Sequence, residues 1–179
     1  MNKSTAFAII VFSFMSFFLY QGLYNDPKKV ESPLIGKEFP KFKLNDLFIN
    51  TAHDNSSFQN KKTIINVWAS WCLECEREHS HLIALSKDKD FDLVGINYKD
   101  NADDARGWLN MRGNPYRIIV ADHSGDLSIN LGVYGVPETY IIDENQVILY
   151  KHIGPINNRI IQQEMMPLLG NIEIGRAHV

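Results

Sequence analysis

The chain has 179 residues, 45% of them hydrophobic and 22% charged, with a formal net charge of −3. That length allows one ordinary domain with a real core plus a tail, and the weakly acidic balance gives no reason to expect nucleic acid or an anionic surface as partner. The two cysteines, Cys72 and Cys75, cannot build a disulfide framework; so close a pair is a redox centre or half of a metal site.

Residues 1–24 read as a membrane anchor. After Met1-Asn2-Lys3-Ser4 an apolar run extends from about residue 6 to residue 20, slightly short of the ~20 residues usual for a spanning helix. Tyr20 and Tyr24 suit the membrane interface. The run has no polar face, which disfavours a buried core helix. A cleaved signal peptide is the alternative, but the run ends in Leu19-Tyr20-Gln21-Gly22-Leu23-Tyr24 without a small-x-small site. Lys3 and the terminal amine favour an inside N-terminus; Lys28 and Lys29 weaken that bias. Residues 25–33 are polar and read as a linker, and the folded domain is expected over 34–172.

Within it, Thr63-Ile64-Ile65-Asn66-Val67-Trp68 is short, apolar and β-branched, and predicts a buried strand. Helical spacing follows over 75–87, with Leu82, Ile83 and Leu85 on one side. A strand is predicted over 91–97, a helix over 102–111 with Trp108 and Leu109 apolar, and a strand over 116–120. Residues 139–142 and 147–152 read as a hairpin around Asp143-Glu144-Asn145-Gln146, and 158–169 as a closing helix. The order β-α-β-α-β, then β-β-α, predicts an α/β fold with a mixed central sheet flanked by helices. Residues 173–179, Glu173-Ile174-Gly175-Arg176-Ala177-His178-Val179, match a frame through a sequencing-adapter oligonucleotide; they are expected to be an artefact, a frayed native tail being the alternative.

Trp71-Cys72-Leu73-Glu74-Cys75 directly follows a buried strand and opens a helix. There the free backbone N–H groups and positive dipole end favour an anion, so Cys72 is placed to attack as a thiolate. Cys75, one turn further in, is placed to resolve the mixed disulfide. A zinc site of Cys72, Cys75, His79 and His81 is the competing reading; it would draw four ligands from one helix start, where a tetrahedron hardly closes. Two inert buried cysteines are disfavoured because Ala69-Ser70-Trp71 reads as an exposed turn. The stretch Gly132-Val133-Tyr134-Gly135-Val136-Pro137-Glu138-Thr139 puts a proline directly before a strand. It fits a cis-proline loop, leaving the backbone of Val136 to pair with an extended substrate.

These two stretches, Asn66-Val67-Trp68-Ala69-Ser70-Trp71-Cys72 and Gly132-Val133-Tyr134-Gly135-Val136-Pro137-Glu138-Thr139, resemble the thioredoxin superfamily, and within it the CcmG/DsbE family of cytochrome c biogenesis. Leu34-Ile35-Gly36-Lys37, Pro40-Lys41-Phe42, Asn97-Tyr98-Lys99-Asp100 and Gly113-Asn114-Pro115-Tyr116 match as well, so the likeness covers about residues 32–169. It implies a thioredoxin-like fold anchored in the inner membrane and facing the periplasm. It implies a reductant that keeps the haem-binding Cys-x-x-Cys-His of apocytochrome c reduced, directly or through another maturation thiol protein. Electrons would come from a membrane thiol transporter of the DsbD or CcdA type; haem is not the protein's own cofactor, and no other cofactor is implied.

General thioredoxins carry a buried Asp where this chain has Asn66. An amide cannot take a proton, so another base is needed: Glu78 on the same helix as Cys75, or Glu138 after the proline, both matching acidic positions of the family. The alternative for Glu78 is a solvated helix residue paired with Arg77 or Lys87. Leu73-Glu74 replaces the family's more usual Pro-Thr. Glu74, Glu76 and Glu78 add negative charge, which opposes a thiolate and makes the dithiol more reducing. Trp71 is expected to flank Cys72 as a contact patch; Tyr98 and Tyr134 could be core. A ResA- or TlpA-like reductase with a different client is the runner-up. A DsbA-type oxidase is disfavoured by the absence of His between the cysteines, and a peroxiredoxin by the absence of its proline–threonine pattern.

Overall fold

The computed structural model describes residues 2–23, 32–58 and 60–170, apart from the side chains of Lys3, Ala6, Ala8 and Leu23. The expected adapter-derived residues 173–179 and most of the expected linker lie outside the described residues. The chain divides into two units, Met1–Glu31 and Ser32–Val179.

The first unit contains helix α1, Lys3–Leu23, 21 residues long. It exposes large apolar side chains, among them Phe7, Ile10, Phe12, Phe14, Met15, Phe17, Phe18 and Leu19. Among the described residues, which leave out the side chains of Lys3, Ala6, Ala8 and Leu23 of α1, no helix is long and apolar enough to cross a membrane.

The second unit is a five-stranded sheet in the order β5-β4-β3-β6-β7. Strands β3 (Thr63–Trp68), β4 (Asp92–Tyr98) and β5 (Ile118–Asp122) are parallel; β6 (Glu138–Ile142) runs antiparallel to β3, and β7 (Ile148–Ile153) antiparallel to β6. The mixed sheet follows from the connections. The parallel steps are crossed by α2 (Leu73–Leu85) and α3 (Ala102–Arg112), while a tight turn joins β6 to β7. β3 lies at the centre and is buried along its whole length, which accounts for its continuous apolar run.

Successive side chains of β3 enter two cores. Ile64 and Trp68 join the cluster containing Cys72, Cys75, Leu82, Trp108 and Tyr116; Ile65 and Val67 join the one containing Phe39, Phe58, Tyr140 and Leu131. Antiparallel pairing puts Asn66 opposite Thr139 and Val67 opposite Glu138. Glu138 therefore lies on the face of Val67, and Asn66 on the face of the cysteines.

Several elements depart from expectation. The strand expected over 116–120 begins later, because Tyr116 turns its ring inward onto Trp68, 5.8 Å between ring centroids. Gly95 in β4 makes the space: a Cβ there would lie 2.9 Å from Trp68 Nε1 and 3.1 Å from the Tyr116 ring. A hairpin of β1 (Lys43–Asn45) and β2 (Ala52–Asp54), too short for periodicity to show, meets the β5 edge where Leu47 N–H donates to the Ile119 carbonyl. Helix α4 (Asp126–Asn130) is fixed by the Asp122 carboxylate, which accepts from Ser128 N–H and Oγ–H at 2.9 and 2.7 Å. The closing helix is α5 (Asn158–Ile160), a π turn (Ile161–Met165) and α6 (Met166–Leu169).

Candidate active site

The C-terminal end of β3 leads through Ala69-Ser70-Trp71 into α2. Ala69 is buried and Trp71 exposed, so the expected exposed turn is exposed only at its tip. Asp100, after β4, holds this turn. Its carboxylate accepts from Ser70 N–H and Oγ–H at 2.6 and 2.7 Å, from Asn97 Nδ2–H at 2.9 Å and from Asn101 N–H at 2.9 Å. The indole N–H of Trp71 donates to the Lys99 carbonyl at 3.3 Å. The chain thus enters α2 with Cys72 as its N-cap, and Cys75 N–H lies 3.1 Å from Cys72 Sγ. Cys72 and Cys75 are joined in a disulfide, Cα atoms 5.3 Å apart, and both are buried. Trp71 and Leu73 are the exposed side chains that flank Cys72.

One turn beyond Cys75, Glu78 is fully buried; the alternative of a solvated residue paired with Arg77 or Lys87 does not hold, and Arg77 pairs with Glu74 at 2.7 Å. Asn66 Nδ2–H donates to Glu78 Oε1 at 2.8 Å, and Ile156 N–H to Oε2 at 2.8 Å. Burial outweighs these two hydrogen bonds and pushes the Glu78 carboxyl up to about 7. Asn66 also donates to Thr139 Oγ1 at 3.2 Å and accepts from the Tyr116 hydroxyl at 2.7 Å.

Glu138 is fully buried too, on the other face of the sheet. Its Oε1 accepts from Tyr134 N–H at 2.8 Å; its Oε2 accepts from the Tyr140 hydroxyl at 2.8 Å and lies 3.0 Å from Lys151 Nζ. Lys151 also donates to the Gly132 carbonyl at 2.6 Å and sits 4.8 Å from the Tyr134 ring centroid. Glu138 and Lys151 together pin the loop that carries Val136 and Pro137. Val136 packs against the core cluster containing Cys72 and Cys75, and the Val136–Pro137 peptide bond is cis. Tyr134 is exposed rather than core, whereas Tyr98 packs against the second core.

The structure thus gathers Cys72, Cys75 and Glu78 on one side, with Val136 packed against both cores, and turns the Glu138 carboxylate to the other side. The carboxylates at positions 74 and 76, expected to bear on the sulfurs, are tied up: Glu76 pairs with Arg112 at 2.8 Å, as Glu74 does with Arg77. His79, a candidate zinc ligand, is buried with Nε2 3.0 Å from the Gly113 carbonyl, and burial holds its imidazole below the usual range. Among the described residues no group of three or more His, Cys, Asp or Glu is placed to hold a metal ion. Asp100, Lys151 and Tyr116 were not singled out from the sequence as site residues. Asp100 and Tyr116 end two of the matching stretches; Lys151 carries no local signal.

A thioredoxin-like sheet with a disulfide capping the helix after its central strand defines a thiol–disulfide oxidoreductase. The Redoxin family model matches residues 34–165. The thiol:disulfide interchange protein DsbE of Vibrio cholerae is 43% identical, over 94% of this chain and 95% of its own. DsbE of Escherichia coli K12 is 43% identical over 80% and 78%. A crystal structure described as a thiol:disulfide interchange protein DsbE from Chlorobium tepidum superposes with a TM-score of 0.64 at 25% identity, covering 76% of this chain and 98% of the other. The chain belongs to the DsbE family of thiol:disulfide interchange proteins, and Cys72–Cys75 is its redox pair.

Proposed function

We propose that the chain is a reductant of cytochrome c maturation, held at the inner membrane by α1 with its folded unit in the periplasm. The observation that carries the direction of the reaction is Glu78, a buried carboxylate one helical turn behind Cys75 with its pKa at about 7. Ionised, it opposes a second negative charge on the sulfurs, and a dithiol whose thiolate is poorly stabilised gives up its electrons more readily.

The cycle follows from the groups present. The reduced Cys72 thiolate, favoured by the α2 N-terminus, attacks a client disulfide; one client sulfur leaves as thiolate and a mixed disulfide forms. Cys75 then loses its proton to Glu78 and attacks Cys72 Sγ. The client departs with two thiols, and Cys72–Cys75 is the disulfide seen here. A membrane thiol transporter of the DsbD or CcdA type returns two electrons by the same exchange in reverse. Trp71, Val136 and Pro137 form the contact surface for the extended client. Glu138, whose carboxylate is occupied by Tyr134, Tyr140 and Lys151, shapes that surface and leaves proton transfer to Glu78.

The anchor reading rests on α1, whose 21 residues extend about 32 Å at 1.5 Å per residue, against a hydrocarbon core of about 30 Å. Its large apolar side chains are exposed. The folded domain over 34–172 and the linker over 25–33 complete the proposed organisation.

The test is trapping. Cys75→Ser in the full chain leaves Cys72 unable to be released, so it should accumulate a mixed disulfide with apocytochrome c or a maturation thiol protein. Accumulation of other clients only, with normal holocytochrome c in a strain lacking the protein, would overturn the assignment.

A further inference from the structure

An amide in a buried network can point either end at its neighbour, and the two choices differ in electrostatic sign. At Asn66 the choice decides what faces Glu78. With Nδ2 toward Oε1, as found at 2.8 Å, the amide donates and supports the carboxylate. With Oδ1 there, it would face the carboxylate oxygen with another acceptor and could be satisfied only by a protonated Glu78.

Two contacts bear on that choice. Thr139 Oγ1 accepts from Nδ2 at 3.2 Å, but a hydroxyl can equally donate, so it does not discriminate. The Tyr116 hydroxyl is 2.7 Å from Oδ1. It has one proton, and burial raises its pKa well above the usual phenol range, with the Glu78 charge adding to the effect; it remains a donor at all relevant pH. The ring itself is fixed by stacking on Trp68 and by the space left at Gly95.

We propose that Tyr116 is a positioning residue: its hydroxyl locks the Asn66 amide with Nδ2 toward Glu78 and so sets the proton affinity of that carboxylate. This rests on the assignment of Glu78 as the proton acceptor for Cys75. The groups facing Glu78 are Asn66 and Tyr116 from across the sheet side, Ile156 N–H from the segment before α5, and the Cys72 and Cys75 sulfurs one to two turns away on α2. The charged neighbours on α2 are engaged elsewhere, Glu74 with Arg77 and Glu76 with Arg112 of α3.

The experiment is a pH titration of the Glu78 side chain in the full-length protein in detergent, by NMR of glutamate labelled with 13C at the carboxyl, the signal being identified by its loss in Glu78→Gln. In Tyr116→Phe the ring stays and only the hydroxyl goes, and the Glu78 midpoint should rise by about half a unit or more, one unit being a tenfold change in proton affinity. Thr139→Val, which loosens the amide without touching its Tyr116 partner, should move the midpoint less, and it supplies the comparison if Tyr116→Phe folds poorly: a larger shift in Thr139→Val than in Tyr116→Phe, or from Thr139→Val alone a rise as large as half a unit, overturns the proposal. An unchanged midpoint in folded Tyr116→Phe also overturns it. The resolution step is read separately: if Glu78→Gln leaves the pH dependence of client release unchanged, Glu78 is not the proton acceptor, whatever the Tyr116 result.

Discussion

At the scale of single residues the decisive feature is where two carboxylates went. Both Glu78 and Glu138 were legible as candidate acids, one from its place a turn after Cys75 and one from its place after Pro137. Their different fates were not, because the faces of β6 alternate and the partners that claim Glu138 come from a loop, from β6 itself and from β7. Glu78 makes a pH prediction with a definite sign. Its pKa rises from 4.5 to about 7 on folding, so between those values the folded state holds more proton than the unfolded chain, and stability falls as pH rises through that window. A shift of that size corresponds to about 3 kcal/mol. Denaturant melts of the oxidised protein should show this loss between pH 4.5 and 7, and Glu78→Gln should flatten it; a pH-independent wild type would contradict the assignment. In kinetics, Glu78→Gln should slow resolution of the mixed disulfide by about 10²-fold or more, the usual size of a general acid–base contribution, while sparing the attack by Cys72.

At the scale of elements, the long apolar or regularly patterned segments were readable and the short ones were not. Strand β3 and helices α2 and α3 announce themselves by burial and period. Hairpin β1–β2 and helix α4 have too few residues for either, and are held by contacts made only after folding, such as Leu47 N–H on Ile119 and Ser128 on Asp122. The same distinction hides Lys151, whose place in β7 looks like an ordinary lysine in a half-exposed strand. Its ammonium is buried against Glu138, so Lys151→Met should leave that carboxylate uncompensated and destabilise the fold by about 3–5 kcal/mol in chemical denaturation. The mutant loop over 132–136 should also bind a peptide disulfide more weakly, seen as a raised KM. Gly95→Ala tests the aromatic stack: overpacking against Trp68 and Tyr116 should cost about 1–3 kcal/mol.

At the scale of the whole molecule, fold and chemistry are shared with the DsbE relatives across most of the chain, and the pair Cys72–Cys75 was identifiable from its setting between a buried strand and a helix. What the sequence did not show was the pairing of its acids. The acidic residues at 74 and 76 read as a field acting on the sulfurs; each is paired with an arginine, whereas Glu78 is buried behind the disulfide. In the proposed cycle the direction of electron flow hangs on a buried group rather than on surface charge. The proposed membrane attachment is assigned to α1: a chain lacking residues 2–24 should leave the membrane fraction and stay in the soluble fraction after cell breakage, with its disulfide chemistry intact. The direct test of the reductant role is the equilibrium of Cys72–Cys75 with a defined thiol–disulfide buffer. A reductant requires a potential nearer the roughly −270 mV of thioredoxin; a value near the roughly −120 mV of DsbA would contradict it.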